Sequence, residues 1–390
     1  MGSLNHSSRA HALLSASGAS RWLNCTPSAR FEQTNGAPDK GSQYAQEGTL
    51  AHELAELELR RELKLITKTK YTRSLNKIKA DPLYSEEMPD YVEEFVRYVL
   101  ERISEFDEEP IVLLESRLDL TDYVPESFGT GDVIIIGDGL LVIIDLKYGK
   151  GVRVDAVNNN QLRLYGLGAY TGYGLLYDVS AVEMVVHQPR MDHISAEALK
   201  LDDLLSWAET FVRPRAKLAF DGEGEFKPGD HCRWCKAKHN CRALAEHVNE
   251  SAKHEFAPAS TLSDEELLQA VEVADRLSDW INSVKSHMLD AALEGKVWPG
   301  LKVVEGRTQR RWAAEEQAIS KLVEAGFEKE EVTNTKIKGI GEIERLVSKP
   351  IFKDQYGSFV IKPEGKPTLA PDSDKRPPFN PNKQAQEVFK

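Results

Sequence analysis

The stretch Thr130-Gly-Asp-Val-Ile-Ile-Ile-Gly-Asp-Gly-Leu-Leu-Val-Ile-Ile-Asp-Leu-Lys147 decides how the chain is read. Two unbroken apolar runs, Val133 to Ile136 and Leu140 to Ile144, flank Gly137-Asp138-Gly139, which supplies the tight turn of a β-hairpin. Apolar character without alternation points to strands buried on both faces. Charge then interrupts that burial, at Asp132 before the first run and at Asp145-Leu146-Lys147 after the second. Charge at a buried strand end is costly unless compensated, and such places tend to be functional.

Outward from the hairpin, residues 111–120 read as a preceding strand that contains Glu115, with 130–136 and 140–148 as the next two. Residues 158–170 read as a helix, 181–187 as another strand and 202–220 as another helix. This βββαβ succession, flanked by helices, is an α/β core around a mixed sheet. On the N-terminal side, a short helix before Trp22-Leu-Asn-Cys25-Thr-Pro27 leads to a turn that presents Cys25. After a Gly/Pro/Asn-rich loop over 35–43, a helix beginning near Gly48 runs through His52, Leu54, Ala55, Leu59 and Leu63, and a further amphipathic helix spans 89–106.

On the C-terminal side, a cysteine knuckle covers 228–241. Ser263-Asp-Glu-Glu266 reads as a capping box opening a long helix that extends to about Leu293. Strands within 298–312 and helices over 313–326 and 340–347 are expected beyond it, and the Pro/Lys/Asp-rich stretch after Lys362 reads as disordered. The expected organisation is a main domain over residues 1–255, a smaller, mainly helical accessory unit over 256–361 that is helical or α+β, and a tail over 362–390.

With 390 residues, 41% hydrophobic and 29% charged, the chain has a globular composition. No apolar run reaches the roughly 20 residues of a membrane span and no apolar signal-peptide core opens the chain, so no membrane partner and a cytoplasmic location are expected. A net charge of −12 speaks mildly against a nucleic-acid partner. Its distribution does not: from Arg60 to Lys79, Arg60, Arg61, Lys64, Lys68, Lys70, Arg73, Lys77 and Lys79 face the single acid Glu62. That segment is a solvated basic face or a grip on a nucleic-acid backbone.

Phosphodiester hydrolysis needs a hard divalent cation against the scissile phosphate, and Mg²⁺ (or Mn²⁺) takes carboxylate and water oxygens. Asp132 and Asp145 on neighbouring strands are candidate ligands, and the Leu146 carbonyl is a third. Strand alternation puts Lys147 on the face of Asp145, where it can orient or help deprotonate the attacking water. On the next helix Gln161 and Tyr165 lie one turn apart and share a face. Taken singly, Asp-x-Lys or Gly-Asp is a bland polar strand end, and a structural salt bridge is the alternative reading.

Gly131-Asp132, Asp145-Leu146-Lys147 and Gln161-x3-Tyr165 together resemble the core of the PD-(D/E)xK nuclease superfamily. With His52 and Glu115 ahead of them and one plus three cysteines bracketing the set, residues 15–241 are similar to the RecB-type branch that carries an iron-sulfur cluster, including AddB and CRISPR-associated relatives. The remainder is more loosely similar to phage-borne RecB-like nucleases. The resemblance implies a restriction-endonuclease-like fold and a metal-dependent deoxyribonuclease, as an exonuclease in phage or prophage recombination or DNA end processing. DNA is the implied partner, together with a phage recombinase, annealing protein or helicase. It assigns Gln161 and Tyr165 supporting roles and makes His52 and Glu115 further metal ligands.

Cys25 stands alone, whereas Cys232, Cys235 and Cys241 cluster about two hundred residues later. In a reducing compartment the Cys232-x2-Cys235 spacing suggests metal or redox chemistry before a disulfide. Zn²⁺ suits such thiolates as well as iron, and His231, His239 or His247 could complete a local zinc knuckle, leaving Cys25 an ordinary buried thiol. The segment around Cys25 resembles the first-cysteine segment of the iron-sulfur nucleases, which implies a 4Fe-4S cluster clasping the two ends of the domain. Two other classes stay open: a nucleic-acid-binding or assembly protein on a nuclease fold, and a zinc-stabilised RNA-processing nuclease. Gly339-Ile-Gly341 hints weakly at a phosphate contact before a helix.

Overall fold

The computed structural model describes residues 12–37, 41–251, 263–306, 311–333, 337, 339–361, 367–371 and 377–379. The apolar runs form β2 (Phe128–Gly137) and β3 (Leu140–Leu146), preceded by β1 (Ile111–Asp119). Asp138 and Gly139 turn the hairpin with φ of 51° and 73°. Two successive left-handed residues match the right-handed twist of the flanking strands, and the resulting register pairs Gly137 with Leu140 and Val133 with Ile144.

β1 runs antiparallel to β2, and β2 to β3. Crossover through a helix then lays β4 (Ala181–Gln188) parallel to β3, and β5 (His193–Lys200) folds back antiparallel on β4. The sheet is therefore a mixed five-stranded one in the order β1-β2-β3-β4-β5. β5 is absent from the sequence reading. Its exposure alternates along the strand, and Asp192, left-handed at φ 47°, closes the turn that reverses the chain.

Helices cover both faces, which is why β2 to β4 read as continuous apolar runs. α1 (Ala19–Asn24), α2 (Ser28–Asn35), α3 (Gln43–Glu62), α4 (Lys68–Lys79) and α5 (Met88–Ser104) precede the sheet. α6 (Asn160–Tyr173) is the crossover, capped by the Asn159 side chain, which accepts from the amides of Gln161 and Leu162. Leu54, Leu57, Val96 and Val99 of α3 and α5 pack on Val133, Ile135, Val142 and Ile144. Trp22, Leu164 and Leu167 pack on Ile134, Ile136, Leu141 and Ile143 from the other side.

α7 (Leu201–Trp207) continues through a π-helical segment, Ala208–Val212, into α8 (Arg213–Asp221). Pro214 has no amide to donate four residues back, which accounts for the widened turn ahead of it. α9 (Arg242–Ser251) follows the cysteine knuckle, and α10 (Asp264–Leu293) is the long helix expected after the capping box. Both bonds of that box are present: Ser263 N donates to Glu266 Oε2 at 2.8 Å and Glu266 N to Ser263 Oγ at 3.2 Å.

The chain falls into two compact units, Met1–Trp280 and Ile281–Lys390. In the second, β6 (Leu301–Glu305), β7 (Arg311–Trp312), β8 (Val360–Ile361) and β9 (Pro367–Pro371) form two two-stranded sheets, β6 with β9 and β7 with β8. α11 (Glu315–Glu324), α12 (Lys329–Val332) and α13 (Ile340–Val347) bury Ala318, Leu322, Val332, Ile343 and Phe352 together. β9 lies inside the stretch expected to be a disordered tail, so residues 367–371 correct that expectation; 362–366, 372–376 and 380–390 lie outside the described residues. Gly339 does precede a helix, but its amide donates to Glu342 Oε2, so a carboxylate of the chain takes the place suggested for a phosphate. No described helix is long and apolar enough to cross a membrane.

Candidate active site

Two neighbouring strands change face at one level of the sheet. Along β1, Ile111 and Leu113 lie on the α6 side, yet beyond Glu115 that side is held by Leu118. On β2, Ile134 and Ile136 face α6, whereas a Cβ at Gly129 or Gly131 would meet Tyr165 or Ile134 on the same side. The reversals fall at Glu115 and Asp132, opposite one another between the pairs Leu114↔Val133 and Ser116↔Gly131. Glu115 has φ 48°. A left-handed backbone costs a non-glycine residue on the order of 1 kcal/mol, and such strain concentrates at functional sites.

His52 reaches the same point from α3, where buried Leu50, Ala51, Leu54 and Ala55 fix the helix against the sheet. Its Nδ1 is 3.3 Å from Asp132 Oδ2 and 3.8 Å from Glu115 Oε1. One ring nitrogen and two carboxylate oxygens thus lie within 4.8 Å of one another, and no other described His, Cys, Asp or Glu residues form such a group of three. Leu146 enters through its amide, which donates to Asp132 Oδ2 at 2.8 Å. At the end of β3, Lys147 Nζ lies 2.8 Å from Asp145 Oδ2 and donates to Gln161 Oε1 at 3.4 Å. Gln161 Nε2 donates to Tyr165 Oη at 3.0 Å. A Cβ at Gly129 would fall 2.5 Å from the Tyr165 ring, so the glycine makes room for that end of the chain of contacts.

Burial works against each charge here, and the neighbours decide which survive. It disfavours the His52 imidazolium, but the Asp132 and Glu115 carboxylates outweigh it and raise the pKa to about 10. Asp132 is also penalised by burial, yet His52 holds its carboxyl below the usual range. For Asp145 burial wins and pushes the carboxyl up, despite Lys147 beside it. Lys147 is raised, because Asp145 outweighs its desolvation, and burial pushes the Tyr165 phenol well up. Every residue expected at the catalytic site is therefore in one connected group. Asp145 is the refinement: it is engaged by Lys147, while the compact ligand set is His52, Glu115 and Asp132. The two carboxylates suit Mg²⁺ or Mn²⁺, and the imidazole tilts the set toward Mn²⁺ over the strictly oxygen-seeking Mg²⁺.

Residues that the sequence reading passed over hold the loop after Lys147. Buried Gln188 donates from Nε2 to the carbonyls of Gly149 (2.9 Å) and Val152 (2.8 Å) and accepts from Val154 N at 3.1 Å. Ser195 and Glu197 of β5 accept from the amides of Ala156 and Asn158. Arg190 pairs with Glu47 at 3.0 Å and lies over the Tyr148 ring at 4.7 Å. The available signal was a polar Gln ahead of Pro189 at the end of an apolar strand. Trp22 and Tyr148 are buried, with Trp22 Nε1 donating to Ser15 O, so neither ring is presented for stacking on a base.

The chain ends of this core meet at the cysteines. Thr26 Oγ1 donates to Glu223 O, Arg30 Nε to Phe220 O and Arg215 Nη1 to Leu23 O. Lys236 N donates to Glu32 Oε1 at 2.6 Å, and Ala37 N to Lys236 O at 3.0 Å. Cys25, Cys232, Cys235 and Cys241 are free thiols lining one cavity, with Phe31, Phe226 and His231. Burial pushes Cys25 and Cys232 up and Cys235 to about 12. Three thiolates on one Zn²⁺, with Zn–S about 2.3 Å, stand about 3.8 Å apart. No three of these sulfurs lie within 4.8 Å of one another, and a cluster, whose thiolates sit on separate irons, spaces them more widely. His231 Nε2 is 2.9 Å from Lys227 O.

A protein-family model described as "Protein of unknown function (DUF2800)" matches residues 11–377. The chain belongs to that family. Among solved structures, one titled "Crystal structure of SSO0001" is similar at 14% identity and a TM-score of 0.30, covering 61% of this DUF2800 chain and 90% of its own.

Proposed function

We propose that this DUF2800 protein is a divalent-metal-dependent deoxyribonuclease with a PD-(D/E)xK core of RecB type, acting as an exonuclease on phage or prophage DNA during recombination or end processing. One observation carries the reading. His52, Glu115, Asp132, Asp145 and Lys147 come from a helix, two strands and the end of a third, yet lie together beside buried Asp145, with Gln161 and Tyr165 attached. A merely structural ion pair needs two residues; it does not need a left-handed Glu115 aimed at a histidine from another element.

His52, Glu115 and Asp132 would hold the cation, which supplies charge neutralisation at a non-bridging phosphate oxygen and acidifies a bound water. The remaining residues belong to the chain's own chemistry. Lys147, held by Asp145 and Gln161, is placed to orient the attacking water and to offset charge on the phosphate. Water adds its oxygen to phosphorus and loses one proton to solvent, the P–O bond to the leaving sugar oxygen breaks, and that oxygen takes up one proton from solvent. Gln161 and Tyr165 fix Lys147 from the side of α6. Asp132 and Glu115 favour the His52 imidazolium, so His52 would have to give up a proton to serve as a metal ligand.

The structural part of this proposal is a 4Fe-4S clasp, with zinc as its rival, that Cys25, Cys232, Cys235 and Cys241 around one cavity would hold. Closing a loop of about two hundred residues, it would stabilise the core without electron transfer. The test is cleavage of end-labelled DNA with and without Mg²⁺ or Mn²⁺. Metal-dependent cleavage is expected; its absence with both metals, or cleavage of RNA alone, would contradict the proposal.

A further inference from the structure

α4 carries a strip of exposed positive charge that runs along α3 toward the level of His52. Lys70, Arg73 and Lys77 recur at three- and four-residue spacing and therefore share a stripe of the helix, opposite Tyr71, Leu75 and Ile78, which pack inward. All three are exposed, and none forms an ion pair among the described residues. Lys68, Thr69, Thr72 and Asn76 flank them with further donors. From Leu63 to Ala80 the chain has no acid at all, in a protein of net charge −12.

The direction of the strip is set by α3. Tyr71 Oη donates to Glu58 Oε1 at 2.7 Å and accepts from Arg61 Nη1 at 2.9 Å, near the C-terminal end of α3. Lys77 and Ile78 instead share a cavity with Thr49, Leu50, Glu53 and Asp81, against the stretch of α3 that also carries His52 on another face. The helices are antiparallel, and the C-terminal end of α4 lies next to the part of α3 that carries the candidate metal ligand. At about 1.5 Å per residue, Lys70 to Lys77 spans about 10 Å, the axial length of roughly three nucleotides of one strand at about 3.4 Å each.

The geometry points to α4 as a backbone-tracking surface that grips the phosphates of a DNA strand through Lys70, Arg73 and Lys77 and delivers it to the His52 end of α3. An anionic membrane is the other source of phosphates, but it fits less well. The exposed side has no large apolar residue to enter an acyl layer, because Tyr71, Leu75 and Ile78 are already used against α3 and α5. The delivery part of the inference rests on the nuclease reading; the phosphate contact does not.

The test is fluorescence anisotropy of a labelled single-stranded oligonucleotide in EDTA across a salt series, in an Asp145→Asn background. It compares the unaltered strip with the triple variant Lys70→Gln, Arg73→Gln, Lys77→Gln. A matched control removes Arg213, Lys217 and Arg242, and circular dichroism checks that each variant is folded. Loss of about three phosphate contacts at about 0.7 each should lower the slope of log affinity against log salt by about 2 in the triple variant alone. An unchanged slope, an equal loss in the control, no oligonucleotide binding by either protein, or a strip needed only for phosphatidylserine vesicles would overturn the inference. Metal-dependent cleavage by the wild type with an unchanged slope removes α4 and leaves the nuclease reading standing. A reduced slope with no cleavage in Mg²⁺ or Mn²⁺ does the reverse.

Discussion

Lys147 lies 2.8 Å from buried Asp145, so removing Lys147 leaves a buried carboxylate uncompensated besides testing the role proposed for the lysine. Lys147→Ala should lower cleavage by about 10²-fold or more, the scale of a lost acid–base or electrostatic group. Lys147→Met, which keeps the bulk, should do the same with a smaller change in thermal midpoint, and rates near wild type in both would remove Lys147 from the chemistry. His52→Ala should weaken Mn²⁺ binding by calorimetry, with smaller heats of proton release; unchanged affinity would make His52 a packing residue. The candidate site was legible because Asp-x-Lys sits at the end of an apolar strand, Gly-Asp immediately before an apolar run, and Gln-x3-Tyr on one helix face. Gln188 was not, because nothing in a lone glutamine says that three backbone groups of another loop converge on it.

His187 offers a pH test on an element, because β4 carries it into the packing between the sheet and α5. It stacks on Phe95 and meets a tilted Tyr98 ring, with centroids 5.7 and 5.1 Å away, and its pKa falls to about 4, chiefly through burial. Its ordinary value is 6.5, so between about pH 4 and 6.5 the unfolded chain binds more protons and stability falls as pH falls. His187→Phe should flatten the pH dependence of the thermal midpoint across that window relative to wild type; parallel curves would contradict the burial argument. Legibility at this scale followed periodicity. β2, β3, β4 and α5 are continuous or strongly amphipathic runs, whereas β5 is short, half-exposed and built on Ser195, Ala196 and Ala198, and its pairing with β4 sets it more than its own sequence does. Ser195 and Glu197 hold the loop that leads to α6, so β5 matters to the site despite its weak signal.

At the scale of the molecule, the N-terminal segment and the cysteine knuckle meet through hydrogen bonds between residues about two hundred positions apart, and four thiols line the cavity where they meet. Cys25→Ala should therefore cost iron and thermal stability about as much as Cys235→Ala, read by metal analysis of anaerobically purified protein. Full metal content in Cys25→Ala would indicate a local knuckle instead. The mixed sheet was legible from the hairpin outward; the fold of the second unit was less so, since its sheets pair strands about fifty residues or more apart. The central claim is that the group around His52, Asp132 and Lys147 hydrolyses DNA with a divalent metal. The direct measurement is cleavage of end-labelled single- and double-stranded DNA by wild type and Asp132→Asn, with Mg²⁺, Mn²⁺ or EDTA. The account predicts metal-dependent cleavage by wild type and its loss in Asp132→Asn, and equal cleavage by both proteins, or none by wild type in either metal, would contradict it.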